Sequence, residues 1–412
     1  MTRSTRKILI WLLAFVLVIG GVVAVSKKFV GTVVVPEQVP VENSQNSKKP
    51  DTAGDSLSGF EVPDGFSLSM FAKDIPGARV MAFDTEGNMW VSQTSEGQIT
   101  KIEIDNGKIV SQNAVFRNLN RPHGLVIDGS TLYYAEETKI TRVALDSDDK
   151  GQKIADLPRG GGGHYTRTLL HGPDDRLYVS IGSTCNVCHE KDERNAAVYS
   201  MNKDGTDFKK VAKGLRNAVF MALNPVDGKI YVTEMGRDNL GDDLPPDEIN
   251  IIGPSSPSGQ NSVPNFGWPI CYGKNIHDTD FDKNTYIRNP CMEPFEIPSF
   301  VDLPAHSAPL GLAFVPEEGW PEAYWYNLLV AYHGSWNRST PTGYKIARVK
   351  LDAKGKYLGA EDFITGWLTK DGNLPAGRQG KIGRPVDIKI LPGGVAYISD
   401  DAAGVIYKLV KN

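Results

Sequence analysis

Short apolar strands recur along the chain, each entered through a turn carrying Gly, Asp or Asn and closed by a small or acidic residue. Asp84-Thr85-Glu86-Gly87-Asn88 leads into Met89-Trp90-Val91-Ser92. The same order returns at 128–135, 172–180, 224–233 and 391–400, with a degenerate copy over 315–333. A strand, a tight Gly- or Asp-bearing turn and a second strand rich in Tyr, Val and Ile is the sequence form of a β-hairpin. One hairpin cannot bury its own apolar face, and radial stacking of four-stranded units buries it while leaving only short edges. The repeats open near Arg79, Arg121, His164, Arg216, Ser307 and Arg384. The first gaps match the roughly 40 to 50 residues that one blade requires. The expected fold is therefore all-β, a six-bladed β-propeller. The long interval between the fourth and fifth openings contains 254–290, dominated by Pro, Ser, Asn and Gly and lacking the strand-turn-strand phrase. A large loop insertion is expected there rather than a seventh blade.

The N-terminus breaks the pattern. Arg3, Arg6 and Lys7 precede an unbroken apolar run from Ile8 to Val25. This reads as a membrane-targeting segment, an uncleaved anchor in preference to a cleaved signal because no Ala-x-Ala site follows. Residues 1–28 are assigned to this segment, 29–59 to a flexible Pro-, Ser-, Asn- and Lys-containing linker, and 60–412 to the propeller. The expected location is extracytoplasmic, tethered to the membrane.

A formal charge of −4 offers no basic excess for nucleic acid. The four cysteines are an even set in a chain expected to leave the cytoplasm, where disulfides are permitted. Cys271 and Cys291 flank much of the insertion and are the preferred pair. Cys185-Asn186-Val187-Cys188-His189 spells the c-type haem attachment pattern. Neither a small helical domain nor an axial-ligand segment surrounds it, so a local disulfide or thiol pair is preferred to haem.

In a propeller the residues just before each innermost strand converge on one mouth of the central channel. Here that set includes Arg121, His164, Arg167, Arg216 and Arg384. Like charges gathered in a concave site repel unless an anion binds among them, and the planar guanidinium fork suits carboxylates. The expected ligand is a small polycarboxylate or phosphate. The competing expectation is that each Arg pairs with a local Asp or Glu.

Several phrases occur in order on different blades: 163–174 (Gly-His-Tyr-Thr-Arg-Thr-Leu-Leu-His-Gly-Pro-Asp), Gly214-Leu215-Arg216-Asn217, Asp247-Glu248-Ile249-Asn250, Asn265-Phe266-Gly267-Trp268-Pro269 and His333-Gly334-Ser335-Trp336-Asn337-Arg338-Ser339. Over residues 60–412 the chain thereby resembles the sorbosone dehydrogenase branch of the soluble quinoprotein sugar dehydrogenases. The resemblance implies a propeller that holds pyrroloquinoline quinone and Ca²⁺, oxidises a sugar hydroxyl or hydrated aldehyde, and passes electrons to an external acceptor. It implies that His164 is the general base, that Arg216 and Asn217 contact the quinone oxygens, and that Arg121, Arg338 and Arg384 are further cofactor contacts. Arg338 falls where the related glucose dehydrogenases supply a Lys. Gly236 and Arg237 correspond to the two residues whose backbone carbonyls ligate the cofactor's Ca²⁺, and Asp247 and Glu248 to residues near a second Ca²⁺ site or an inter-blade network. Two other readings remain from the fold alone: a lactonase-type hydrolase with a carboxylate-held cation, and a non-catalytic binding propeller.

Overall fold

The computed structural model describes residue 57 and residues 59–147, 151–253, 263–292, 296–368 and 382–412. The apolar run at 8–25 and nearly all of the linker expected over 29–59 lie outside the described residues. Among the described residues no helix is long and apolar enough to cross a membrane.

Six antiparallel four-stranded sheets form the body. Blade 1 runs Ala78–Phe83, Met89–Gln93, Gln98–Asp105 and Lys108–Phe116, from the innermost strand outward. The innermost strands of blades 2 to 6 are Leu125–Asp128, Leu169–His171, Ala218–Leu223, Pro309–Phe314 and Pro385–Ile390. Each packs against the next around the ring, and the last returns to the first. The repeated sequence phrase is the inner hairpin of each blade: Asp84 Oδ1 accepts from Glu86 N and Asn88 N and so closes the turn between the first two strands.

Burial follows position in the blade. Met89–Gln93 is buried throughout, because a second strand is covered on both faces by neighbouring blades. The outermost strand Lys108–Phe116 alternates between exposed and part-buried residues, as a strand with one wet face must. Between blades 1 and 2 the shared core contains Trp90, Leu132, Tyr134 and Val143.

Blade 4 carries the insertion. Its third strand is Asp247–Ile252 and its fourth, Val301–Leu303, arrives only after the expected loop. The Cys271–Cys291 disulfide closes part of this loop, and a short hairpin, Cys271–Tyr272 with Ile276–His277, sits inside it. Blade 5 explains the degenerate repeat: a 3₁₀ turn at Glu322–Tyr324 separates its first strand from its second, Leu328–Tyr332.

Blade 6 is completed from the other end of the propeller. Phe66–Ala72 pairs antiparallel with Val405–Lys411 as the outermost strand, so the ring is closed by main-chain hydrogen bonds between its two ends. Phe66 is buried and packs on Trp320, Tyr324 and Phe363 of blade 5, with ring centroids 4.9, 5.6 and 5.7 Å away. Truncation at this closure removes an aromatic core contact, and Phe66→Ala is expected to lower stability by about 3–5 kcal/mol. Chemical denaturation measures it; a shift below about 1 kcal/mol, the scale of a surface substitution, would show that closure does not depend on this side chain.

Candidate functional site

A cavity of about 300 Å³ opens at the axial mouth, lined from blades 1, 3, 4, 5 and their connecting loops. His164, Arg216, Asn217, Gly236 and Asp247 line it, as do Arg79, Tyr165, Met235, Asp238, His306, His333, Trp336 and Asn337.

His164 follows a run of four glycines, Gly160 to Gly163, and its carbonyl accepts from Nη1 of the buried Arg167 at 3.1 Å. Opposite it, Gly182 leaves no room for a side chain: a Cβ there would lie 2.8 Å from both His164 Cβ and Asn217 Oδ1. The tautomer of His164 follows from proton bookkeeping. The single hydroxyl proton of Ser183 is donated to the Cys185 carbonyl at 2.7 Å. Ser183 Oγ therefore accepts from His164 Nδ1, 2.8 Å away. His164 carries its proton on Nδ1 and presents Nε2 as a lone pair. Burial, reinforced by the Arg216 and Arg167 cations, pushes the pKa of His164 down to about 3. It is a neutral imidazole across the physiological range.

Arg216 is 3% exposed and uses all five of its N–H groups on the protein. Nε donates to Asn186 O at 2.8 Å, and Nη1 to Gly236 O at 2.9 Å and Met235 O at 3.3 Å. Nη2 donates to Asn186 Oδ1 and to Asp238 Oδ2, each at 2.9 Å. The guanidinium is thus a fixed positive charge in the cavity wall with no spare proton. Asn217 differs: its amide nitrogen reaches only Met235 Sδ at 3.6 Å, a weak acceptor.

The acidic residues beneath these groups are tied into the frame. Asp247 Oδ1 accepts from Gly236 N at 2.9 Å and Oδ2 from Ala308 N at 2.8 Å, joining blade 4 to the entry of blade 5. Glu248 accepts from Gly273 N and Asn250 Nδ2, at 2.6 and 2.8 Å, and holds the insertion. Burial raises both carboxyls to about 7. Glu234 stands directly across from Glu248 in the sheet. Burial first, and the Glu248 carboxylate second, push its pKa well up.

Five expected site residues do not line the cavity. Arg121 lies outside the rim, half exposed, with its guanidinium 4.3 Å from the Tyr165 ring centroid and paired with Glu137 at 3.3 Å. Arg384 donates to the carbonyls of His333, at 2.8 Å, and Gly334, so it braces the turn that carries His333. Arg338, on the blade 5 turn, reaches across to the loop between the second and third strands of blade 4, through Asp242 O at 2.6 Å and Asp243 at 2.8 Å. The Arg237 side chain points into the insertion, 2.6 Å from Asp280 and 3.3 Å from Asp278. Glu248 faces that insertion as well. A ring of uncompensated cations is therefore not what the fold builds. Arg121, Arg216 and Arg338 pair with carboxylates, as the competing expectation has it, whereas Arg384 and Arg167 donate to backbone carbonyls.

Residues outside the expected set complete the cavity. Arg79 pairs with Asp401 at 2.6 Å, whose other oxygen lies 2.9 Å from His333 Nε2, while Arg79 Nε is buried with no partner among the described residues. Burial drives the His333 pKa down to about 4. Trp336 is 74% exposed at the mouth, although the next residue, Asn337, is anchored to Asp238 Oδ1 at 2.7 Å. His123 is buried beside Phe220, with Nδ1 3.1 Å from Thr168 Oγ1, and does not line the cavity. The Cys185 and Cys188 sulfurs are joined to each other, which leaves neither thiol free for a haem thioether.

The family described as TrAA12-like matches residues 60–412. An uncharacterized protein of Borreliella burgdorferi is 32% identical over 376 residues, spanning 87% of this chain and 92% of that one. A pyrroloquinoline quinone-dependent pyranose dehydrogenase of Coprinopsis cinerea is 24% identical over 404 residues. That match covers 84% of this chain and 54% of the fungal protein, so the chain spans about half of that relative's length. Among solved structures, the calcium structure of the Trichoderma reesei carbohydrate-active enzyme of family AA12 superposes with a TM-score of 0.72 at 21% identity, covering 86% of this chain and 97% of the fungal one.

Proposed function

The chain belongs to the TrAA12-like family, and on that premise we propose that its axial cavity holds pyrroloquinoline quinone and oxidises the hydroxyl or hydrated aldehyde of a sugar. The observation that carries this reading is His164: a neutral imidazole whose Nε2 is kept as a proton acceptor beside a buried cation. The donor set suits a flat polyanion. Arg79 Nε is orphaned in the wall, Asn217 Nδ2 lacks a strong acceptor, and Arg216 supplies fixed positive charge.

The quinone, when bound, supplies the two-electron acceptor. His164 Nε2 takes the proton of the substrate hydroxyl, and Ser183 holds the imidazole in the orientation that this requires. Arg216 and Asn217 position and electrostatically stabilise the anionic oxygens of the ligand. For Ca²⁺, the proposed ligands are the backbone carbonyls of Gly236 and Arg237. Gly236 O already accepts from Arg216, so one lone pair remains for the ion.

Two disulfides agree with the proposed extracytoplasmic location. Calorimetric titration of the full-length chain with the quinone is the test. Saturable binding that requires Ca²⁺ is expected, and absence of binding with Ca²⁺ present would overturn the quinoprotein reading.

A further inference from the structure

The Cys185–Cys188 loop borders the cavity, touches Arg216 directly and reaches His164 through Ser183. Asn186 lies inside the ring that the disulfide closes. Its backbone carbonyl accepts from Arg216 Nε and its Oδ1 from Arg216 Nη2, at 2.8 and 2.9 Å. The same Oδ1 accepts from Asp238 N at 2.7 Å, and Nδ2 donates to Asp238 O at 3.0 Å. One asparagine thus fixes the guanidinium and the loop that pairs with it. The neighbouring carbonyl, Cys185 O, takes the Ser183 hydroxyl proton and thereby obliges Ser183 Oγ to accept from His164.

Restraint of the unfolded chain gives this disulfide little purpose. It spans a sequence separation of 3, against 20 for Cys271–Cys291, and the shorter loop restrains the denatured ensemble less. What it does restrict is the backbone of Asn186 and the direction of the Cys185 carbonyl, the two acceptors on which Arg216 and His164 depend. Gly162, which lines the cavity, packs on the Cys185 backbone, where an added Cβ would lie 3.3 Å away. The loop therefore has the cavity wall on its inner side.

We propose that the Cys185–Cys188 loop is the positioning element of this site: Asn186 sets the guanidinium of Arg216, and Cys185 O, acting through Ser183, sets the proton-accepting tautomer of His164. Neither residue is catalytic; each acts through a group that lines the cavity. The Arg216 half rests on the proposed quinone function, whereas the His164 half can be read without any cofactor.

The test uses the full-length chain as wild type, Cys185→Ser/Cys188→Ser, Asn186→Ala, the combination of these, and Cys271→Ser/Cys291→Ser as a control. In cofactor-free protein, ring ¹⁵N chemical shifts should show a single Nδ1–H tautomer of His164 in wild type and in the control. The two tautomers should mix in the Cys185→Ser/Cys188→Ser protein. Quinone affinity should fall about 10-fold in that protein and in Asn186→Ala, the scale of a lost hydrogen bond to a charged group. Because both changes act on one element, the combination should lose less than the product of the two. The control should melt at a lower temperature with tautomer and affinity intact. A Cys185→Ser/Cys188→Ser protein that keeps both the single tautomer and wild-type affinity would overturn the proposal, as would losses that multiply. If that variant does not fold, selective reduction of the folded wild type, mapped by mass spectrometry, yields the same two readouts. If the wild type binds no quinone the functional reading falls, and the tautomer result alone decides the inference.

Discussion

His164→Ala is expected to reduce sugar-dependent turnover by about 10²- to 10⁴-fold, the range for loss of a positioned general base, while the propeller stays folded and quinone affinity stays near that of wild type. The side chain sits on a loop between blades and makes one side-chain hydrogen bond, to Ser183 of blade 3, so its removal costs that bond and no strand pairing. The pH behaviour follows from the same environment. A base held neutral down to about 3 contributes no fall in kcat/KM as the solution is acidified from pH 7 to pH 5. Between the unfolded value of 6.5 and about 3, the unfolded chain binds a proton that folded His164 refuses. Acidification through that window therefore works against the fold, and the alanine variant lacks this term. Steady-state kinetics against pH check the turnover and the acid limb, and denaturation of both proteins between pH 7 and pH 4 checks the stability difference. Wild-type turnover in His164→Ala would move the base to another residue, with His333 next because it lines the same cavity, whereas a wild-type acid limb centred near 6.5 would point away from both, since burial also holds His333 down to about 4.

The blade count was legible because a hairpin turn needs special residues and repeats them: the Gly and Asp phrases mark the inner two strands of most blades. The closing strand Phe66–Ala72 carries no such phrase, since its partner is at the far end of the chain and no turn joins them. The cysteine pairing and the loop insertion were legible from composition and spacing. The site was legible in part. His164, Arg216 and Asn217 precede inner strands, and the topology alone brings them to the axis. Direction was not legible: Arg121 and Arg384 also precede inner strands and Arg338 follows the second strand of blade 5, but all three turn toward carbonyls and carboxylates that are distant in sequence, such as Gly334 for Arg384 and Asp243 for Arg338. Arg79 opens the first repeat as Arg216 opens the fourth, and that positional equivalence is the sequence signal for its place in the cavity wall. His333 and Trp336 lie on the blade 5 turn, whose course depends on contacts with blades 4 and 6 that a single sequence does not display.

Arg216→Ala should weaken quinone binding by about 10- to 100-fold, because it removes the fixed positive charge from a buried wall of the cavity where an anion is to bind, and lower turnover with it. The deletion does more than remove a charge. It strands five acceptor contacts at once, on Asn186, Met235, Gly236 and Asp238, in a buried wall. Asp238 would then face the cavity as an unpaired carboxylate and repel an anionic ligand, so the loss should exceed that of a neutral contact. Arg216→Lys should not restore affinity, because three ammonium donors on a flexible stem cannot satisfy five acceptors arranged around a planar fork. Arg216→Ala/Asp238→Asn should recover part of it by removing the stranded charge while keeping an acceptor for Asn337. Titration of the four proteins with the quinone at constant Ca²⁺ separates these effects. Equal affinity in Arg216→Lys and wild type would mean that charge alone matters, and that the five-point anchoring of the guanidinium has no part in binding.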